Sequence, residues 1–183
     1  MNHHGFSHIG LSTLDLDKTR RFYEEILQFE AVVADTIRIK EGGYLRHIFF
    51  DVGHGQLIAF LEPRDVSGVP ENYDAGINGG LGVPAGFYHF AFEAGSAADL
   101  TAKRDQLRGK GVEVTDVVDH GWAQSIYFKD PNGISLEYCY MTRELTENDA
   151  IMRERFTLPR AALELGNAIA GIEKYPDDSP TRG

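Results

Sequence analysis

Apolar residues recur at every second position in short runs of this chain and at every third or fourth in longer ones. The two periods mark strands and helices respectively. In "FSHIGLS", Ile9 and Leu11 face one way while His8, Gly10 and Ser12 face the other. "FYHFAFE" has the same pattern, with Phe90 and Phe92 opposite His89 and Ala91. "SIYFKDPNGISLEYC" reads as two strands around a turn, with Ile134, Leu136 and Tyr138 on one face and Ser135, Glu137 and Cys139 on the other. Its "DPNG" is a hairpin signal, because Pro fixes one φ and Asn-Gly tolerates the left-handed region. Helical spacing predicts an amphipathic helix near 15–27, with Leu16, Phe22, Tyr23, Ile26 and Leu27 apolar and Asp15 or Asp17 as its cap. A second helix is predicted near 96–109, capped by Ser96, with Leu100 and Leu107 at helical spacing. A third stripe, Leu158, Ala162, Leu165, Ile169 and Ile172, predicts a helix near 159–172 that packs on the domain or on a partner subunit.

These elements form a repeat. Phe6, His8, Leu11 and Ile26 match Phe87, His89, Phe92 and Leu107 at one constant offset of 81. Further on, "HIFFDVGHGQLIAF" matches "SIYFKDPNGISLEY" at an offset of 78, so one loop differs by three residues between the copies. Each half reads strand, helix, strand, strand, strand. The expected division is one domain over 1–145, with a first module at 5–62, a linker at 63–85 and a second module at 86–142. A helical tail over 146–183 follows. The linker is rich in Pro and Gly and longer than most connections, as functional loops often are. Its "GGLGVPAG" does not open a helix after a strand, which argues against a dinucleotide-binding loop.

A length of 183 residues suits a single compact domain, and 42% hydrophobic content is that of a folded soluble protein. A net charge of -10 with no run of Lys and Arg argues against nucleic acid and against an acidic membrane surface as partners. The single Cys139 cannot form an internal disulfide, which fits a reducing cytoplasm. The opening "MNHHGFSHIG" lacks the pattern of a signal peptide, and no apolar run is long enough to span a bilayer. A cytoplasmic location is therefore expected.

Glu137 raises the question of chemistry. A carboxylate in an apolar strand loses much of its hydration unless something positive meets it. His8 and His89 occupy repeat-equivalent positions, each opposite the bulky apolar residues of its strand. If the two halves pack as a pseudo-twofold pair of curved sheets, both imidazoles and Glu137 converge on the concave face. Two histidines and one carboxylate from three strands form a facial-triad site, which holds a divalent metal and leaves positions open for substrate. The first-half counterpart of Glu137 is Ala59, so the repeat supplies three ligands and an open, catalytic type of site. Taken singly, a strand histidine is more often structural and a strand glutamate more often a water-facing edge residue; it is their joint placement that favours a metal.

With these residues the chain resembles the vicinal oxygen chelate superfamily, which includes glyoxalases, fosfomycin-resistance transferases and extradiol ring-cleaving dioxygenases. The resemblance covers roughly 5–142. It implies an α+β fold of two βαβββ modules forming a cup-shaped mixed sheet around one metal site. Asp130, Pro131, Gly133 and Glu137 match a pattern common to the superfamily, whereas His120 with Tyr127 resembles the extradiol signature in "VDHGWAQSIYFKDPNGISLE". The familiar extradiol enzymes carry four modules, so two would make this a small single-domain type. They often place adjacent histidines at the first-module hairpin, where this chain has His54-Gly55.

The extradiol resemblance implies Fe(II), with Mn(II) or another divalent metal as alternatives, held by His8, His89 and Glu137. It implies a small aromatic, catecholic substrate and O2 as partners, and a homodimer or higher homo-oligomer, the cup being completed within one chain or across a dimer. His54 is the candidate acid/base, His47 is a weaker one, and Tyr127 and His120 are candidate hydrogen-bond partners of the reacting oxygens. Solvent-facing loop histidines and a partly buried strand tyrosine are the ordinary alternatives for these side chains. Trp122, Tyr73 and Tyr88 are candidates to wall an aromatic substrate, and His3 and His4 read as a terminus. Two rival expectations share the cup: a glyoxalase- or fosfomycin-type reaction without oxygen chemistry, and sequestration of a flat drug without catalysis.

Overall fold

The structure is a computed structural model that describes residues 4–146 and 149. The predicted tail helix near 159–172 lies outside the described residues. In chain order the elements are β1 (His8–Ser12), α1 (Leu16–Arg21) running on into a π-helical turn (Phe22–Ile26), β2 (Glu30–Arg38), β3 (Tyr44–Gly53) and β4 (Gln56–Arg64). After a one-turn α2 (Asn78–Leu81) come β5 (His89–Glu93), α3 (Ala97–Gly109), β6 (Val118–Asp119), β7 (Ala123–Lys129) and β8 (Ser135–Met141). Among the described residues no helix is long and apolar enough to cross a membrane.

The strands form two four-stranded mixed sheets, ordered β1-β4-β3-β2 and β5-β8-β7-β6. The repeat read from the sequence reappears as identical register. Gly10 lies beside Ala59 and Phe49 opposite Ala59 in the first sheet; Ala91 lies beside Glu137 and Tyr127 opposite Glu137 in the second. The change of offset falls between the first strand and the third of each module, where β2 is nine residues long and β6 only two. Asp15 caps α1 by accepting from the Lys18 amide at 2.8 Å, and Ser96 caps α3 through the Asp99 amide at 3.1 Å. The π-helical turn, closed by Leu27 N–H donating to Phe22 C=O at 3.0 Å, accompanies burial of the consecutive Phe22 and Tyr23.

Alternation places Leu11, Ile58, Phe60, Ile48 and Phe50 on the inner face of one sheet, and Phe92, Leu136, Tyr138, Ile126 and Phe128 on that of the other. The helices cover these faces, and both modules share one core, where Phe29 and Phe92 meet edge to face at 5.0 Å. The DPNG hairpin locks the modules together. Thr13 Oγ1 donates to Asn132 Oδ1 at 2.7 Å, and Asn132 Nδ2 donates to Asp130 Oδ2 at 2.8 Å and to Thr19 Oγ1 at 3.1 Å. In this hairpin Gly133 alone takes positive φ, at 84°, so the role of Asn132 is this lock and not left-handed backbone. Packing the helix-covered faces together leaves the opposite face of each sheet uncovered among the described residues.

One buried carboxylate has no counterpart in the sequence reading. Glu62 continues the inward series of Ile58 and Phe60 and is 1% exposed. Its Oε1 accepts from the Leu16 amide at 3.1 Å and from Arg64 at 2.6 Å, and its Oε2 accepts from Arg46 at 3.0 Å. Glu62 thus ties the start of α1 to β3 and β4. Glu62→Ala is expected to cost about 3 kcal/mol, the lower end for breaking a buried ion pair, because both arginines can regain water. Urea unfolding of wild type and variant measures it.

Candidate metal centre

Four of the six candidate residues sit on the uncovered face of the second sheet or at its rim, and two of them, Tyr127 and Glu137, are strand partners. His89 begins β5, Glu137 is central in β8, and Tyr127 faces Glu137 from β7. His120 follows β6 in the turn closed by His120 N–H donating to Ala123 C=O at 2.8 Å. A continuous polar chain joins the four. His89 Nε2 lies 3.1 Å from Glu137 Oε2, Tyr127 Oη donates to Glu137 Oε1 at 3.2 Å, and His120 Nε2 lies 3.0 Å from Tyr127 Oη.

The partners fix the direction of these bonds. A carboxylate only accepts, so the Tyr127 hydroxyl gives its proton to Glu137 and accepts the N–H of His120. His89 Nδ1 lies 2.9 Å from the Gly86 carbonyl, which also only accepts, so Nδ1 carries a proton and Nε2 is the nitrogen turned to Glu137. An imidazole held at one nitrogen by a carbonyl, with the other aimed at a carboxylate, is the arrangement that outer partners impose on metal-binding histidines.

Electrostatics points the same way. Glu137 is 6% exposed. Burial pushes its carboxyl up, but His89, Ser125 and Tyr127 outweigh burial and hold it below its usual value. Ser125 Oγ stands beside the carboxylate, buried and without a formed hydrogen bond. His89 is raised, first by its contact with Glu137, against the opposing effect of burial. Each of the two groups thus favours the charged form of the other. Burial and the Glu137 charge keep the Tyr127 hydroxyl protonated, well above its ordinary value. An anionic carboxylate beside an imidazole whose Nε2 proton can leave fits a divalent cation.

His8 and His54 lie elsewhere. His8 sits on the uncovered face of the first sheet, with Nδ1 3.0 Å from Ser7 Oγ and its ring 5.5 Å from Phe49. Among the described residues no three His, Cys, Asp or Glu side chains converge closely enough to hold a metal. One chain therefore brings His89 and Glu137 together but does not bring His8 to them. His54 occupies the tip of the β3–β4 hairpin at φ 55°, 80% exposed, with Nε2 3.7 Å from Glu93 Oε2. His47 shares the face of His8, its ring 4.2 Å from Phe49 and its Nδ1 3.3 Å from Asp35. Trp122 and Tyr88 are substantially exposed, and the Trp122 ring lies 6.1 Å from His120. A groove of about 760 Å³ includes His89, Tyr127 and Ser135, but Lys18, Phe22, Lys110, Glu113 and Lys129 also wall it and neither Glu137 nor His120 does, so it is not the cup of the four residues in the polar chain.

The family model of the Glyoxalase/Bleomycin resistance protein/Dioxygenase superfamily matches residues 5–138. The chain belongs to this superfamily. Biphenyl-2,3-diol 1,2-dioxygenase 2 of Rhodococcus globerulus is 28% identical to it over 132 residues, covering 72% of this chain and 60% of that protein. The chain thus spans about three fifths of the length of that curated relative. Among solved structures, the glyoxylase/bleomycin resistance protein/dioxygenase domain from Frankia sp. EAN1pec matches with a TM-score of 0.58 at 24% identity, covering 76% of this chain and 99% of that one. A genomically encoded fosfomycin resistance protein from Listeria monocytogenes matches with a TM-score of 0.52 at 22% identity, covering 79% and 97%. Both structures share the superfamily fold with this chain, and at these identities that is all the likeness shows.

Two contributors to the site were not legible in the sequence. The Gly86 carbonyl orients His89 through the main chain, which carries no residue signal. Asn78, in the Gly-rich linker, holds the strand start beside His89; a lone Asn in such a run has no periodicity to mark it.

Proposed function

We propose that this superfamily member is a metal-dependent, extradiol-type dioxygenase that opens the ring of a catecholic substrate with O2. The observation that carries this reading is the hydrogen-bonded chain His120–Tyr127–Glu137 beside His89, because the His120/Tyr127 pair is what resembles the extradiol pattern. The similarity to a biphenyl-diol dioxygenase supports it.

In this reading His8, His89 and Glu137 hold Fe(II), with Mn(II) as the alternative. Since His8 stands apart from the other two within a chain, His8 of one copy completes the site of a second. The exposed Phe6, Val33 and Ile37 of the first module suit a face covered by another copy. When bound, the metal supplies Lewis acidity and a template for the catechol oxygens and O2. Gly86 keeps the proton of His89 on Nδ1, so Nε2 is free to bind. Tyr127 remains a neutral donor at the carboxylate, and His120 can pass a proton to its oxygen as that proton moves to substrate. His54, exposed at the tip of its hairpin, stays the candidate acid/base of this scheme.

The direct test is to load the protein anaerobically with Fe(II), then admit air with a panel of catechols and look for coloured ring-opened products. Product is expected from at least one catechol. Turnover of an epoxide or hemithioacetal, with none of any catechol, would replace this reading with one of the rivals. Tyr127→Phe is expected to lower kcat roughly tenfold to a hundredfold, the scale of one general acid–base contact. Metal affinity should also fall, by about ten- to a hundredfold, because the Tyr127 hydroxyl is a hydrogen-bond partner of the ligand Glu137. Parallel kinetics and Fe(II) titration measure both.

A further inference from the structure

The linker packs tightly on the DPNG hairpin and on its own Asp74. A Cβ at Gly76 would lie 2.9 Å from the Gly133 carbonyl oxygen, and one at Gly79 would lie 2.0 Å from Asp74 Oδ2. Ile77 is held at φ 61°, a region costly for a β-branched residue, so its surroundings must enforce it. The next residue, Asn78, is 4% exposed. Its Oδ1 accepts from the Tyr88 amide at 2.9 Å and its Nδ2 donates to the Tyr88 carbonyl at 2.8 Å. Nδ2 also reaches Ser135 Oγ at 3.4 Å, and Ser135 is the strand neighbour of His89. These partners leave only one orientation for the amide.

We propose that Asn78 is a positioning residue for His89: its two-point clamp on the Tyr88 main chain sets the strand start so that the Gly86 carbonyl meets His89 Nδ1. Tyr88 is the residue before His89, and Gly86 lies two residues before Tyr88. A shift at Tyr88 therefore moves the Nδ1 acceptor and the ring together. The clamp acts like a single rung of sheet pairing, supplied by a side chain at a strand whose one strand neighbour among the described residues is β8. Only the metal-binding arm of the test below rests on His89 being a ligand; the ring arm stands without it.

The experiment uses full-length protein and compares wild type with Asn78→Ala, Asn78→Asp and Ser96→Ala. Ser96→Ala loses the cap of α3 and serves as a destabilised control away from His89. Ring-nitrogen NMR of the metal-free proteins at one fixed pH reads which His89 nitrogen bears the proton. Co(II) titration, followed by its visible absorption, reads affinity. Both Asn78 variants should lose the protected Nδ1–H signal and bind Co(II) about ten- to a hundredfold more weakly, the scale for partners that orient a ligand. The control should lose thermal stability with neither signature changed. Folded Asn78 variants with unchanged His89 nitrogens would overturn the proposal, whatever their Co(II) affinity. An altered ring signal with unchanged Co(II) affinity would uphold the clamp and count against His89 as a ligand. If neither variant folds, hydrogen exchange in the wild type decides: the Tyr88 amide must be protected, and the His89 Nδ1 proton must show coupling to the Gly86 carbonyl. Absence of either would overturn the proposal.

Discussion

Glu137→Gln is expected to weaken Fe(II) or Co(II) binding more than a hundredfold, beyond the ten- to hundredfold typical of groups that only orient a ligand. Glutamine has nearly the shape of glutamate and keeps an oxygen for the Tyr127 hydroxyl, so the fold should survive. What it removes is the negative charge. In a site this buried that charge is the main attraction for a cation. The same charge governs the metal-free protein's response to pH. The Glu137 carboxyl is depressed on folding, so its contribution to stability is present above the ordinary carboxylate pKa and is lost as pH falls through the depressed value. The His89 imidazole is raised, so its contribution is present below the ordinary imidazole pKa and is lost as pH rises through the raised value. Metal must displace the His89 proton, and affinity should therefore climb with pH until that proton is gone. In Glu137→Gln the climb should move to lower pH, because the partner that raises His89 has lost its charge. Isothermal titration at several pH values, with unfolding curves alongside, checks both. Unchanged affinity in Glu137→Gln would remove this carboxylate from the metal site.

A larger effect is expected from mixing two inactive variants. His8→Ala and Glu137→Ala should each bind metal poorly. If His8 of one copy completes the site of another, a mixed dimer contains one cup with both defects and one with none. Random exchange of equal amounts then restores about a quarter of the sites, since half the dimers are mixed and each has one intact cup of two. Metal content and catechol turnover should both recover from near zero to that level after subunit exchange. A site completed within one chain predicts no recovery at any ratio, because every cup would carry one defect. The readout is all-or-none and does not depend on knowing the substrate.

The second module bears the carboxylate, tyrosine and serine on its uncovered face. At the repeat-equivalent positions of the first module stand Ala59, Phe49 and His47. Duplication gave both halves a histidine at the first strand, and the rest of the polar set belongs to one half alone. That asymmetry is what the proposed single open metal site per pair of modules rests on.

What the sequence determined by itself was the local framework. Alternation separated the faces of β1, β5, β7 and β8, and the two offsets of the repeat matched His8 with His89 and Ala59 with Glu137. Asp15 and Ser96 were readable as caps because the short polar side chain bonds amides within its own first turn. Tertiary structure alone decided how the halves are joined, through the Asn132 lock on Thr13 and Thr19, and it alone set the buried Glu62 inside the first module and the Asn78 clamp on Tyr88; no short-range period encodes such contacts. It also decided that His89 and Glu137 meet within a chain while His8 does not join them among the described residues. Alternation tells which face a side chain takes, but the distance between two such faces depends on how whole sheets pack.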